Sequence, residues 1–144
     1  MSLDGAYDDG NIFAKIIRGE APAAKVYEDD HVVAFMDVFP QSTGHTLVIP
    51  KQDAARNLLE ADPAILATLI QTVQRVARAV REALKPDGIV VTQFNGAPAG
   101  QTVYHLHFHI IPTWEGVPHG RHAGGGMADP DELKALAAAI AAKL

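Results

Sequence analysis

Hydrophobic residues fall along this chain with two different periods, and the changes of period mark the elements. Between residues 62 and 85, Ile65, Leu66, Leu69, Ile70, Val73, Val76, Ala77, Val80 and Leu84 recur at helical spacing. Arg75, Arg78, Arg81, Glu82 and Lys85 take the opposite side, a solvated face whose basic end suits the helix dipole. Asp62 caps this long helix, Pro63 fits its first position, and Pro86-Asp87-Gly88 stops it. A short helix is expected at 11–18, with Asn11 as cap, Ile12, Phe13, Ile16 and Ile17 on one side, and Gly19 as terminator. Another starts at Asp129-Pro130 and carries Leu133, Leu136, Ala137, Ile140 and Leu144.

Strand patterns occupy residues 25–28, 31–38, 45–50, 89–94 and 104–112, with turn signals at Asp29-Asp30 and at 40–44. Helices and strands do not alternate strictly. This order predicts an α+β fold with a mostly antiparallel sheet covered on one face. Residues 1–10 are acidic and Gly-containing and read as a mobile tail. Residues 114–127 read as a mobile loop, in which His119 and His122 are more simply solvated than metal ligands and the role of Arg121 stays open.

The chemistry concentrates at 104–112, where His105, His107 and His109 alternate with Leu106, Phe108 and Ile110. Alternate strand residues share a face and sit roughly 7 Å apart. Three readings of this face compete: a half-exposed strand rich in His, a metal site, and a phosphate site with a histidine nucleophile. Geometry weakens the metal reading. The Cα atoms of His105 and His109 would be roughly 13 Å apart on a straight strand, while each ligand reaches only roughly 6 Å from its own Cα. Just upstream, residues 95–102 (Asn-Gly-Ala-Pro-Ala-Gly-Gln-Thr) form a small-residue loop. Its backbone N–H groups could approach a phosphate, with Gln101 and Thr102 as side-chain donors. Elsewhere, Asp37 is either a turn carboxylate or an acceptor for two ribose hydroxyls, and Phe13 and Ile16 either cover a sheet edge or wall a base pocket.

The 144 residues suffice for one domain, and the net charge of -5 argues against nucleic acid as partner. There is no cysteine, hence no disulfide and no thiolate metal site. No apolar run approaches the ~20 residues of a membrane span. Without a signal-peptide core at the start of the sequence, the expected location is the cytoplasm.

The stretch His105-Leu106-His107-Phe108-His109-Ile110-Ile111 resembles the signature of the histidine-triad (HIT) family at every position. Gly100-Gln101-Thr102-Val103-Tyr104 upstream, Gly44-His45-Thr46-Leu47-Val48-Ile49-Pro50-Lys51, and Ile12-Phe13-Ala14-Lys15-Ile16-Ile17 extend the likeness to the Hint-like branch over 11–112. The C-terminal 113–144 would then be a loop and helix appended to this domain. The resemblance implies a homodimer joining two five-stranded sheets into ten strands, and a purine nucleotide pocket. It implies His107 as nucleophile, with His45, His105 and His109 positioning it and the phosphate oxygens. Gln101 and Thr102 would contact phosphate or leaving group, Gly100 would belong to the same loop, and Asn95 would line the phosphate side. Asp37 would hold the ribose, and Phe13 and Ile16 the base.

The implied reaction is hydrolysis of purine nucleoside 5′-phosphoramidates or related adenylates through a nucleotidyl-histidine, giving a nucleoside monophosphate of AMP or GMP type. Dinucleoside polyphosphate hydrolysis, nucleotidyl transfer, and a regulatory role with vestigial catalysis are the alternatives. No cofactor is expected. The chain departs from the family pattern at two places. Many bacterial relatives carry Cys-x-x-Cys near the N-terminus, which with histidines binds a structural zinc; Asn11 and Ala14 stand there, so no zinc site is carried over. The frequent Pro-Arg after the triad is Pro112-Thr113.

Overall fold

A computed structural model describes residues 2–118, 120 and 126–144, so His119, Arg121 and His122 lie outside the described residues. Helix α1 (Ile12–Ile17) is followed by strands β1 (Lys25–Glu28), β2 (Val32–Met36) and β3 (Thr46–Pro50). Then come the long helix α2 (Pro63–Leu84), β4 (Gly88–Thr92), β5 (Phe108–Thr113) and α3 (Pro130–Ala141). The five strands form one sheet in the order β1-β2-β3-β5-β4, with every neighbouring pair antiparallel.

The helix boundaries follow the caps. Asn11, Asp62 and Asp129 each accept a backbone N–H of the first turn through their side chains. Lys85 closes α2 in the left-handed region at φ 54°. On α2, the arginine face is not solvent alone: the Arg75 guanidinium lies 4.8 Å above the Tyr27 ring centre, a cation–π contact.

The sheet is covered on both faces, where the sequence pattern predicts one. On β2, Val32, Ala34 and Met36 join Val48, Leu69, Val73, Val76, Leu106, Ile110 and Ile140 in the core beneath α2 and α3. Val33 and Phe35 point to the other side and join Phe13, Ile16, Leu47 and Ile49 beneath α1. All five residues of β2 and all five of β3 are buried. An uninterrupted apolar run is what a strand covered on two faces requires.

The histidine strand is shorter than 104–112. Ladder pairing to β3 begins at Phe108 opposite Val48, and residues 105–107 lead into it along a different path. The Leu106 N–H donates to the Ala55 carbonyl at 3.0 Å. The face alternation nevertheless persists, because Leu106 and Ile110 sit in the α2 core with no exposure and the three histidines are buried on the opposite side. Truncating Leu106 to Ala removes a buried anchor between two triad residues and costs ~2–5 kcal/mol. The turn before β3 has its own constraint: Gly44 has φ 94° and a Cβ there would run into Leu84 of α2.

The N-terminal segment, read as a mobile tail, lies against the domain. Asn57 Nδ2 donates to the Leu3 carbonyl at 3.2 Å, Arg18 Nη1 to the Asp9 carbonyl at 2.8 Å, and Gly5 packs on the Arg56 guanidinium.

Candidate active site

On the α1 side of the sheet a cavity of about 330 Å³ opens, lined among others by Ile12, Phe13 and Ile16 of α1, Phe35 and Leu47 of the sheet, and Asp37, Thr102, His107 and His109. Most of the wall is apolar, and the polar groups gather at one part of it. Such a lining suits a ligand with a flat apolar body and a charged end. Phe13 and His107 meet edge to face with ring centres 4.9 Å apart, so α1 holds the cavity wall and the histidine ring together.

Each imidazole has a partner that fixes its tautomer. His107 Nδ1 lies 2.6 Å from the carbonyl of His105. A carbonyl only accepts, so Nδ1 carries the proton and the lone pair of the neutral ring is on Nε2. His45 Nδ1 accepts the Gln41 N–H at 3.0 Å, which puts the His45 proton on Nε2, 2.9 Å from His109 Nδ1. His109 Nδ1 is then an acceptor, and His109 carries its proton on Nε2. His105 Nε2 faces the Pro50 carbonyl at 2.9 Å, and burial holds the His105 pKa below its ordinary value. Pro50 has no β5 residue opposite it in the ladder; the imidazole of His105 takes that carbonyl instead.

Asp37 follows β2 and faces the cavity. Its Oδ1 accepts the Phe39 N–H at 2.8 Å and its Oδ2 lies 3.4 Å from His45 Nε2. Burial pushes its carboxyl up to about 6, against the pull of the Phe39 N–H. Asp37, His45 and His109 offer ligand atoms within 4.8 Å of one another and so have the spacing to hold a metal ion. An ion there would have to replace the His45–His109 hydrogen bond.

The structure brings Phe13, Ile16, Asp37, Thr102, His107 and His109 together around the cavity, with His45 directly behind His109. The other residues expected at the site do different work. Gln101 is buried and its amide is spent inside the fold. Its Nε2 donates to the Arg56 carbonyl at 2.6 Å and the Val103 carbonyl at 3.0 Å, and its Oε1 accepts the Gly96 N–H at 2.8 Å. It braces the loop and does not present donors to a phosphate. Asn95 likewise accepts the Leu58 N–H at 3.0 Å and pairs with Gln93, away from the cavity wall. Gly100 has φ 110° and packs on the Phe94 ring. His105 lies behind His107 and lines a separate cleft with Tyr7 and Lys51.

Sequence reasoning missed Tyr7, whose hydroxyl lies 2.6 Å from His105 Nδ1, and the lining residues Val38, Phe39, Leu47, Val103 and Met127. Met127 reaches the cavity because the Ala128 N–H donates to the Val38 carbonyl at 2.9 Å. No periodicity marks the segments that carry Tyr7 and Met127, so only the three-dimensional contacts find those two.

Residues 18–116 match the HIT domain family. The chain belongs to the HIT family. Its histidine triad therefore sits in a superfamily of nucleotide-binding hydrolases and transferases. Among solved structures, a Hit-like protein of Bartonella henselae superposes with a TM-score of 0.91 at 52% identity, covering 97% of this chain and 100% of that one. The hypothetical histidine triad nucleotide-binding protein of Sulfolobus tokodaii gives a TM-score of 0.82 at 38% identity, covering 91% and 89%. The HIT domain is also 41% identical over 104 residues to adenylylsulfatase HINT3 of Arabidopsis thaliana, covering 72% of this chain and 52% of that protein.

Proposed function

We propose that this HIT protein hydrolyses purine nucleoside 5′-phosphoramidates or related adenylates at the α-phosphorus, releasing a nucleoside monophosphate. One observation carries the reading: the 2.6 Å bond from His107 Nδ1 to the His105 carbonyl puts the lone pair on Nε2 of a ring that lines the cavity. In the first step the Nε2–P bond forms, the bond from phosphorus to the leaving group breaks, and an amine leaves with a proton. Water then attacks phosphorus, the P–N bond to His107 breaks, and the monophosphate departs. Splitting the displacement in two lowers each barrier. His109 Nε2–H and the Thr102 hydroxyl donate to the phosphoryl oxygens as charge develops. Asp37 accepts the ribose hydroxyls, and Phe13 and Ile16 flank the base.

The name adenylylsulfatase on a relative 41% identical to this chain supports adenylates with other leaving groups as substrates too. Dinucleoside polyphosphate hydrolysis and nucleotidyl transfer use the same first step and differ in the group that leaves or accepts. We place the protein in the cytoplasm and as a homodimer. The dimer reading rests on β4 at the sheet edge and on Ile70, Val90 and Val91, which are exposed there and on the adjoining α2 face. The test is a panel of adenosine and guanosine phosphoramidates, adenylyl sulfate and dinucleoside polyphosphates, compared by turnover. The reading expects phosphoramidates or adenylyl sulfate to lead. Binding without turnover across the panel would instead favour a regulatory protein.

A further inference from the structure

Tyr7, His105 and His107 form a chain of hydrogen bonds that starts outside the nucleotide cavity and ends on the proposed nucleophile. The Tyr7 hydroxyl donates to His105 Nδ1 at 2.6 Å, His105 Nε2–H donates to the Pro50 carbonyl at 2.9 Å, and the His105 carbonyl accepts His107 Nδ1–H at 2.6 Å. We propose that Tyr7 is a positioning residue for His107, acting through His105. The proposal rests on the reading of His107 as nucleophile.

The residues that stand at the Cys-x-x-Cys positions do not fit a zinc ion. Asn11, where the first cysteine of the relatives' pair stands, has its side chain committed: Oδ1 accepts the Ala14 N–H at 2.9 Å and Nδ2 donates to the Asp8 carbonyl at 2.7 Å. Ala14, at the second position, brings no donor atom. His105 lines the same cleft as Ala14, but its Nδ1 is the atom that takes the Tyr7 hydroxyl. The Tyr7 hydroxyl holds that nitrogen.

The arrangement is built. Tyr7 sits between two anchors, the Leu3 carbonyl held by Asn57 and the Asp9 carbonyl held by Arg18. Its ring meets His105 edge to face with centres 5.7 Å apart. With both ring nitrogens engaged, His105 has one tautomer and one orientation, and the backbone that carries its carbonyl is held as well. Without the hydroxyl, Nδ1 is a buried acceptor with no donor. The ring is then held at Nε2 alone, by the Pro50 carbonyl, which loosens the residue on which His107 depends. Neither Tyr7 nor His105 lines the nucleotide cavity, so the effect falls on rate and not on substrate affinity.

The experiment compares the full-length protein with its Tyr7→Phe variant, which keeps the ring and removes the hydroxyl. Turnover of an adenosine phosphoramidate should lose about fivefold in kcat, the rate equivalent of one hydrogen bond, with KM within about twofold. Nitrogen NMR of labelled histidine should show the ring signals of both His105 and His107 moving. Zinc analysis of the purified wild type should find far less than one ion per chain. A lower Tm with unchanged kcat and unmoved His107 signals would reduce Tyr7 to a packing role and overturn the proposal, as would a stoichiometric zinc whose removal shifts the His105 ring signals. A wild type without turnover on any substrate would sink the proposed function alone, because the NMR arm reads the Tyr7–His105–His107 chain without substrate.

Discussion

Asp37 offers a pH signature whose sign and size both follow from the structure. Its carboxyl is 12% exposed and burial raises it from 3.8 to about 6. The folded protein therefore holds the Asp37 proton to higher pH than the unfolded chain does. The contribution of this group to stability is fully present below pH 3.8 and is lost as pH rises through about 6. The loss amounts to at most ~3 kcal/mol, from a shift of about two units at about 1.4 kcal/mol each. Asp37→Asn is neutral throughout and keeps an oxygen for the Phe39 N–H. In urea denaturation of the ligand-free protein, the variant should gain on the wild type between about pH 4 and pH 7 and reach a plateau above. The same substitution should weaken nucleotide binding above pH 6, because an amide oxygen cannot hold two ribose hydroxyls as a carboxylate does. A stability difference that stays flat from pH 4 to pH 7 would refute the burial argument. Unchanged nucleotide affinity in Asp37→Asn would refute the ribose role.

Gln101→Ala leaves the buried Gly96 N–H and the Arg56 and Val103 carbonyls without their side-chain partner, and should cost ~2–3 kcal/mol in urea denaturation; a cost under ~0.5 kcal/mol would show that the brace is dispensable. Light scattering at micromolar concentration should give twice the 15.4 kDa of one chain, and a mass of one chain would count against the β4–α2 face as a dimer surface. Thorough EDTA treatment should leave turnover unchanged; activity lost and then restored by zinc would make Asp37, His45 and His109 metal ligands.

The elements were legible where local physics decides them. Asp62-Pro63 and Asp129-Pro130 mark helix starts because a cap and a proline act within one turn. The opposite faces of Leu106 and His107 were legible because a pleated chain alternates. The strand start at Phe108 was not, because it depends on where β3 stops pairing and on the His105 imidazole taking the Pro50 carbonyl. The triad, Asp37 and the α1 wall were visible as residue types in the family's order. The bracing bonds of Gln101 are not legible in the sequence, because a side-chain amide between two strands is equally a donor to ligand or to backbone, and only the fold brings Arg56, Gly96 and Val103 around it. Tyr7 stands alone in an acidic stretch with no apolar period, so nothing local distinguishes it from a solvated tail residue.

The central claim is that His107 Nε2 becomes bonded to the α-phosphorus. Single-turnover reactions with an adenosine phosphoramidate labelled at the α-phosphorus, quenched during the first turnover, would be digested and mapped by peptide. An acid-labile nucleotidyl group on the peptide carrying His107 is the expected result. His107→Ala should lose the label and nearly all turnover while still binding nucleotide, since an interaction made only on the way to the transition state changes rate more than ground-state affinity. Label on another residue, or an active His107→Ala protein, would contradict the account.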